Sequence, residues 1–374
     1  MLIRNGILFM DDRFVTGEEV RVHNGQVREV GHHLEAGLYE TIADVQGDYI
    51  LPGFVDVHIH AFRGHDTMQG ADAVRQMRQD LFQEGVAAFC PTTMSASVED
   101  TCHAIEGIRS VMREPSQNGA RILGAHLEAP FLQTDKAGAQ RKEFFLDPDI
   151  RAFDALTGGS NEGICLMTMA PEKPGAEALI RELTGRGIVI SVGHTSADST
   201  TVHAAGDWGA NHVTHTFNAQ TPIHHRKPGV PGAALTDPRF YCEMICDGIH
   251  LDADIVRLIT LCKGSDRHAV AITDAMEAAG MPDGTYQLGG QAVFVKEGEA
   301  RLADGTLAGS VLLMRKALEN LIHRFGIDPV QAVQMCTANP ADSIGEKTAG
   351  RLIPGSPAPL TRWSADWRYR GILF

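Results

Sequence analysis

The sequence predicts an α/β fold: a (β/α)8 barrel of the TIM type, with a small β-sandwich domain that the N- and C-terminal segments form together. Apolar strand-like runs alternate with amphipathic helical patterns along most of the chain. Eight such units span about 250 residues, the size at which a parallel sheet with right-handed crossovers closes into a barrel. The segment before residue 49 lacks this alternation and has the pattern of an antiparallel β unit.

The N-terminal β unit contains a hairpin signal. Apolar and polar residues alternate weakly over 2–10 and clearly over 19–23. Asn24-Gly25 comes next, and this dipeptide favours a two-residue turn because both of its residues tolerate positive φ. The partner strand is therefore predicted at 26–30.

From residue 49 onward the spacing of apolar residues predicts the strands and helices of the barrel. The strands are predicted at 49–57, 86–91, 121–127, 163–169, 187–193, 210–216, 241–247 and 268–273. Apolar residues at three- and four-residue spacing predict helices at 71–84, 97–113, 174–185, 196–206 and 252–263, and after strand eight at 307–326 and 328–338. We expect the Gly/Pro-rich tail to return to the N-terminal β unit. The predicted domains are 1–48 and 345–374 for the small β domain and 49–344 for the catalytic barrel.

Composition excludes several classes of partner. The 374 residues are 43% hydrophobic and 21% charged, and the net charge is −14. Such a charge repels nucleic acid and anionic membranes, so we expect neither, whereas a small anionic substrate would need a local basic pocket. No apolar run approaches the roughly 18 residues that cross a bilayer, and residues 1–10 show no long apolar run or small-residue cleavage pattern, so we expect neither membrane insertion nor export. Seven cysteines without a C-x-x-C pair indicate reduced thiols in a cytoplasmic protein.

The first candidate site residues are two histidines at the end of strand one, in Phe54-Val-Asp-Val-His-Ile-His60. Alternate side chains of a strand share a face, so His58 and His60 point the same way, about 7 Å apart along the strand. This geometry suits chelation of a metal ion. An isolated H-x-H pair is more often solvated, so the other strand ends decide its role.

Residues of the types that commonly bind metal ions also follow the ends of several other predicted strands. They are Glu128, His194, His215, Asp247, His250 and Asp274. Any one of them has an ordinary structural explanation, such as a loop histidine or a helix cap. In a barrel, however, all of these strand ends meet at one mouth, where active sites are built. Imidazoles with carboxylates suit a divalent ion, Zn²⁺ first and Fe²⁺ or Mn²⁺ as alternatives, with one or two ions per chain.

Eight short sequence motifs reduce the number of candidate functions further. They are Pro52-Gly-Phe-Val-Asp56, His126-Leu-Glu-Ala-Pro-Phe131, Gly193-His-Thr195, Thr214-His-Thr-Phe-Asn-Ala219, His224-His-Arg-Lys-Pro-Gly229, Asp247-Gly-Ile-His250, Thr273-Asp-Ala-Met276 and Gly305-Thr-Leu-Ala-Gly-Ser310. With the ligand pattern above, these strings resemble the N-acetylglucosamine-6-phosphate deacetylases of the metal-dependent amidohydrolase superfamily. The resemblance runs from about residue 50 to about residue 345.

The resemblance implies a role for each matching residue. The metal ligands would be Glu128, His194 and His215, with His58 and His60 holding a second ion that Glu128 bridges. Asp274 would be the catalytic residue. The substrate-binding residues would be Ala129, Gln140, Asn218, Ala219, Arg226, His250 and Leu307. In this family the arginine at position 226 reaches the phosphate of a sugar phosphate from a second subunit, so the resemblance also implies a homodimer.

The expected reaction is hydrolysis of an N-acetyl group. Amides resist hydrolysis because water is a poor nucleophile and an amine is a poor leaving group. A bound divalent ion lowers the pKa of water toward ~7 and polarises the carbonyl. Asp274 would take the proton from that water and return it to the departing nitrogen. The first expected substrate is N-acetylglucosamine-6-phosphate.

Three positions depart from the family pattern, and they keep alternatives open. Ala129 stands where the family usually has glycine, Gln140 where it has histidine, and Gln220 where it has methionine. The substrate could accordingly be N-acetylgalactosamine-6-phosphate, or another linear or cyclic amide. A non-enzymatic scaffold is a further alternative, but Asp274 disfavours it because a scaffold needs no proton shuttle in a metal cavity.

Overall fold

A parallel sheet of eight strands is the centre of the computed structural model, which describes residues 1–115 and 119–374. Each strand pairs in parallel with the next. The strands are Phe54–Ile59, Val86–Thr93, Ala125–Leu127, Ile164–Met169, Val189–Val192, His212–Val213, Tyr241–Ile245 and Ala269–Ile272, and a short strand Arg121–Ile122 adds to the second. Together with the terminal sheets described below, this sheet confirms the predicted fold class.

The barrel closes at the carboxyl ends of its first and last strands. The backbone N–H of Asp274 donates to the carbonyl of His58 at 2.9 Å, and the N–H of His60 donates to Ala275 at 3.0 Å. Below them the buried carboxylate of Asp56 accepts a hydrogen bond from the Thr273 hydroxyl at 2.6 Å. These contacts join the first and eighth strands at the end where the site residues lie.

Helices surround the barrel and shield its apolar outer face. They are Ala71–Gln83, Val98–Met112, Ile150–Leu156, Ala176–Gly185, Ser199–Trp208, Gly229–Thr236, Ala253–Lys263 and Met314–Glu319, the last continued by a π-helical turn Asn320–Arg324; Pro329–Cys336 and Ala338–Ser343 follow. Short 3-10 turns are Thr67–Gln69, Thr134–Lys136 and Lys142–Phe144. Among the described residues, no helix has both the length and the apolar character needed to span a membrane.

The terminal segments form two sheets that pack on each other. One has the strand order Gln26–His32, Glu18–His23, Leu2–Arg4, Ile42–Asp44, and the other Tyr369–Leu373, Leu360–Trp363, Tyr49–Leu51, Ile7–Phe9, Phe14–Thr16. The predicted hairpin is confirmed, since His23 pairs with Gln26 across Asn24 and Gly25, whose φ angles are both positive. The C-terminal tail returns to the N-terminal β unit, as predicted, where Pro357 bridges to Gln26, and its strand Leu360–Trp363 pairs with Tyr49–Leu51, which was predicted as part of the barrel.

The predicted first strand, 49–57, is wrong as a single element. Tyr49–Leu51 belongs to a terminal sheet, and the barrel strand begins only at Phe54. Pro52 has no backbone N–H for a ladder, and Gly53 packs so closely that a Cβ would lie 2.3 Å from the Pro359 carbonyl oxygen. The chain therefore changes sheets at this dipeptide.

The predicted helix at 307–326 is also wrong at its start. The helix begins at Met314, and the residues before it run extended, with Ser310 bridging to Ala275. Gly309 has φ +59°, and a Cβ there would lie 2.9 Å from the carbonyl oxygen of Asp274. This close approach holds the segment against the end of strand eight. Before it comes an antiparallel sheet that the sequence did not predict, Gly284–Leu288, Gln291–Lys296 and Glu299–Arg301.

Candidate active site

A cavity of about 430 Å³ opens at the carboxyl ends of the barrel strands. Most of the predicted site residues line it. They are His60, Glu128, Gln140, His194, His215, Asn218, Ala219, His250, Asp274 and Leu307. Side chains that lie more than 200 positions apart in the sequence thus share one wall, as the barrel prediction requires.

The other predicted site residues lie outside this wall. His58 is fully buried beneath His60, and their Nε2 atoms are 3.3 Å apart. Ala129 is buried beside Glu128 in sequence. Arg226 lies on an exposed segment, 222–228, where its guanidinium contacts His225 at 2.6 Å. Within one chain, the structure does not bring Arg226 to the cavity.

Three site residues that come just after a barrel strand have unusual backbone angles. His194, His215 and Asp274 follow strands five, six and eight, and their φ angles are 47°, 28° and 50°. A positive φ in a residue with a Cβ costs on the order of 1–3 kcal/mol and persists only where the surroundings enforce it. Because the left-handed turn comes directly after each strand, these side chains point into the barrel mouth.

The Glu128 carboxylate is the centre of the site. His194 and His215 each place Nε2 3.1 Å from its Oε1, and His60 places Nε2 3.2 Å from its Oε2. His58 Nε2 is 3.4 Å from Oε1. Two groups of three ligands therefore share this glutamate, and in each the ligand atoms lie within 4.8 Å of one another: His58, His60 and Glu128, and Glu128, His194 and His215.

The donor chemistry of these groups fits a metal ion. The Nδ1 atoms of His60 and His194 face the carbonyl oxygens of Thr92 and Lys136, at 3.3 and 2.8 Å. A carbonyl can only accept, so Nδ1 carries the proton and Nε2 presents a lone pair. The Nε2 atoms of His194 and His215 are nevertheless 3.0 Å apart. Two imidazole nitrogens at this distance can share one proton or bind one cation together.

The local field also favours positive charge. Burial lowers the pKa of His58, but the charges of Glu128, Glu243 and Asp274 outweigh burial and raise that pKa to about 9. His60 follows the same pattern, since Asp274 and Glu128 raise its pKa well above the usual value despite burial. An excess of buried carboxylate around imidazoles is the environment expected at a divalent cation site.

Asp274 lies beside both groups. Its Oδ1 is 3.2 Å from His60 Nε2 and 3.5 Å from His58 Nε2. Burial raises the pKa of this carboxyl, but His58 and His60 hold it below its usual value. Asp274 is therefore ionised near neutral pH, and it borders the cavity as a proton acceptor.

Two further polar pairs fix the cavity wall. Gln140 donates from Nε2 to Glu128 Oε2 at 2.5 Å and accepts at Oε1 from the Ser95 N–H at 2.7 Å. His250 Nδ1 contacts Asp247 Oδ2 at 2.7 Å. Both cavity-facing side chains are thus held in one orientation by neighbours.

Sequence reasoning missed several charged residues of this region, among them Asp135 on the cavity wall. Lys136 and Arg301 line the cavity and bring positive charge to it. Lys136 lies between Glu128 and Gln140 in sequence, which was an available signal, whereas Arg301 comes from the unpredicted sheet. Glu243 is fully buried beneath His58, and its signal was a glutamate inside an apolar strand.

Comparison with known proteins is consistent with this geometry. The Amidohydrolase family model matches residues 49–371. An N-acetylglucosamine-6-phosphate deacetylase of Bacillus subtilis is 34% identical over 98% of this chain and 93% of its own. An N-acetylgalactosamine-6-phosphate deacetylase of Escherichia coli O157:H7 is 32% identical over 96% and 94%. A solved Mycobacterium smegmatis N-acetyl-D-glucosamine-6-phosphate deacetylase mutant, in complex with N-acetyl-D-glucosamine-6-phosphate, has a TM-score of 0.90 and 30% identity over 100% and 97%.

Proposed function

Because the chain belongs to the amidohydrolase family, and within it to the N-acetylglucosamine-6-phosphate deacetylases, we propose that it hydrolyses the N-acetyl group of an amino-sugar phosphate. The products are acetate and the free amine. The first candidate substrate is N-acetylglucosamine-6-phosphate. The observation that carries the proposal is the placement of Glu128 between two histidine pairs, with Asp274 beside them, in a cavity of the size that small ligands occupy.

We assign the metal to the two groups that share Glu128. His194 and His215 would complete one group, and His58 and His60 the other, so that the site holds one or two divalent ions. Zn²⁺ is the first candidate because imidazole and carboxylate suit it, with Fe²⁺ or Mn²⁺ as alternatives. When bound, the metal polarises the acetyl carbonyl and acidifies a water molecule.

The side chains of the protein carry the proton and orient the substrate. Asp274 accepts the proton of the attacking water and returns it to the nitrogen as the C–N bond breaks. Its ionised state and its place on the cavity wall support this role. His250, held by Asp247, would contact the sugar, and Leu307 would line the pocket, while Ala129, buried next to Glu128 in sequence, stays a predicted substrate-binding residue.

We propose that the phosphate binds near Asn218 and Ala219 and contacts Arg226 of a second subunit. Asn218 and Ala219 line the cavity, whereas Arg226 is exposed on its own chain, as expected for a residue that acts across a homodimer. Guanidinium suits phosphate oxygens because its donors form a planar fork. Lys136, also on the cavity wall, adds positive charge to an otherwise acidic protein.

A cytoplasmic location fits this function. All seven cysteines are free, as expected for a protein in a reducing compartment. Amino-sugar phosphates are charged metabolites that cells retain, so we place the reaction in cytoplasmic amino-sugar catabolism.

A substrate screen tests the function. Metal-loaded protein should release acetate and amine from N-acetylglucosamine-6-phosphate much faster than from the unphosphorylated sugar. The galactosamine epimer is included because the Escherichia coli relative is named for it and because Gln140 and Gln220 depart from the usual pattern. A higher kcat/KM for that epimer would select the second candidate. No release from any N-acyl hexosamine phosphate would refute the proposal.

Gln140 is expected to act through Glu128. Replacing it with alanine removes a hydrogen bond to a charged group, worth about 1.5–3 kcal/mol, so we expect turnover to fall about 10–100-fold with little change in KM. Steady-state kinetics with metal analysis measure both. Gln140→Glu is the matched variant of equal shape, which sets a second carboxylate against Glu128 and should be at least as damaging. Unchanged kinetics in both variants would remove position 140 from the mechanism.

Arg226 is expected to determine the preference for the 6-phosphorylated substrate over the unphosphorylated sugar. Arg226→Ala should raise KM for the 6-phosphorylated substrate about 10–100-fold, the value of a lost charge-assisted hydrogen bond, and hardly affect the unphosphorylated sugar. Lys227→Ala is the control, since Lys227 is the neighbouring cation of the same exposed segment. Equal losses on both substrates would contradict a phosphate role.

Subunit mixing tests whether Arg226 acts across an interface. Chains with Arg226→Ala are mixed with chains with Asp274→Asn. If each site combines Asp274 of one chain with Arg226 of the other, mixed dimers contain one site that carries neither lesion, and activity returns in part. Absence of rescue, with subunit exchange demonstrated by labelled chains, would place the arginine within its own chain.

A further inference from the structure

Glu243 lies on the seventh barrel strand, Tyr241–Ile245, beneath the two ligand groups. Its side chain is fully buried and is not part of the cavity wall. Its Oε2 atom accepts two hydrogen bonds, from Nδ1 of His58 at 3.0 Å and from the backbone N–H of His215 at 2.9 Å. One carboxylate oxygen therefore holds one residue of each group.

We infer that Glu243 is a positioning residue of the metal centre, which fixes the His58 imidazole in the first group and ties the backbone of His215 in the second to the same atom. This inference rests on the proposed metal site and deepens it. Glu243 acts through these two ligands and touches neither ion nor substrate.

Glu243 fixes the position of a proton on His58. An ionised carboxylate can only accept a hydrogen bond, so the proton between Glu243 and His58 lies on Nδ1. The other nitrogen, Nε2, lies 3.4 Å from Glu128 Oε1 and is therefore the one that would bind the ion. A partner of this kind sets both the tautomer and the ring orientation of a ligating histidine and raises its basicity.

Within the part of the chain that the structure describes, the surroundings of the Glu243 carboxylate lack a lysine or arginine that would balance its charge. Among the described residues, Glu243 forms no ion pair with lysine or arginine; the titratable groups nearest to it are the imidazoles of His58 and His212, at 3.0 and 3.6 Å. Its Oε1 has no hydrogen-bond partner within that part of the chain. A fully buried carboxylate is costly without positive charge nearby. A cation bound at Nε2 of His58 would supply such charge.

The other histidines of the two ligand groups have different hydrogen-bond partners at Nδ1. His60 and His194 are oriented by neutral backbone carbonyls, those of Thr92 and Lys136. His58 alone among the described ligating histidines has a carboxylate on Nδ1. Loss of the Glu243 charge should therefore weaken the ion bound by His58 and His60 more than the ion bound by His194 and His215.

Metal titration tests this difference. Co²⁺ is titrated into metal-free wild-type, Glu243→Gln and Glu243→Ala protein against a competing chelator, and its visible absorption is followed. Glutamine keeps the shape and one acceptor oxygen but loses the charge. We expect one of the two binding steps to weaken about 10-fold in Glu243→Gln and about 100-fold in Glu243→Ala, with a smaller change in the other step.

A double-variant cycle identifies the ligand through which Glu243 acts. In a His58→Ala/His60→Ala background, Glu243→Gln should change the affinity of the remaining ion little. The Co²⁺ concentration for half-maximal activation should rise in Glu243→Gln alone, while KM for the sugar phosphate stays near wild type. If Glu243→Ala fails to fold in thermal unfolding, Glu243→Gln decides the question.

Three results would overturn the inference. They are unchanged Co²⁺ affinities in Glu243→Gln, equal weakening of both binding steps, and equal weakening with and without the His58/His60 pair. A wild-type protein that binds no Co²⁺ and removes no acetyl group would instead refute the proposed function. The failure of the inference and the failure of the function are thus distinguishable.

Discussion

Asp274→Asn is expected to lower turnover about 10²–10⁴-fold while metal stays bound, because asparagine keeps the shape of the side chain but cannot accept the proton. Oδ1 lies 3.2 Å from His60 Nε2 at the cavity wall, and the backbone of Asp274 is fixed on both sides, by the carbonyl of His58 and the N–H of Ser310. The substitution should therefore leave the position of residue 274 unchanged. Steady-state kinetics on N-acetylglucosamine-6-phosphate measure the loss.

Metal analysis accompanies this measurement, because Asp274 also neighbours the ligand groups. A variant that has lost its metal would report on binding and not on proton transfer. Asp247→Asn is a useful companion, since it changes a carboxylate of the same mouth that holds His250 and should act mainly on KM. Near-normal turnover in Asp274→Asn with full metal content would show that the base is another residue, and His250 would be the next candidate.

Removal of the metal is expected to abolish activity. A bound metal ion would acidify the attacking water and polarise the carbonyl, and without it the pKa of water stays far above neutral. We expect dialysis against a chelator to inactivate the protein and added Zn²⁺, Fe²⁺ or Mn²⁺ to restore it. Elemental analysis checks that metal removal is complete. Activity that persists after complete removal would refute the mechanism.

The stoichiometry should distinguish the two ligand groups. Fully loaded protein is expected to hold two ions per chain, one for each group around Glu128. A His58→Ala/His60→Ala variant should hold one. His32→Ala/His33→Ala is the matched control, because it removes two neighbouring histidines that are exposed in the small domain. One ion in wild type, unchanged in the double variant, would mean that the H-x-H pair binds no metal in this protein.

The sequence alone determined the class of fold and most of the candidate site. Alternation of strands and helices implies a parallel sheet, and a parallel sheet brings all strand ends to one edge. For that reason His60, Glu128, His194, His215 and Asp274 could be placed together without coordinates. The domain boundaries at 48/49 and 344/345 remain predictions, although the chain changes sheets slightly later than the first, at Pro52 and Gly53.

Only the tertiary structure decided which atoms meet inside the barrel. Gln140 could be assigned to the substrate pocket, but its hydrogen bond to Glu128 depends on how the loop after strand three folds back. The position of Glu243 inside an apolar strand was the only signal for this residue, and it does not reveal the partner 185 positions away. Strand period fixes the face on which a side chain lies, whereas contacts across a closed barrel depend on register and closure, which long-range packing sets.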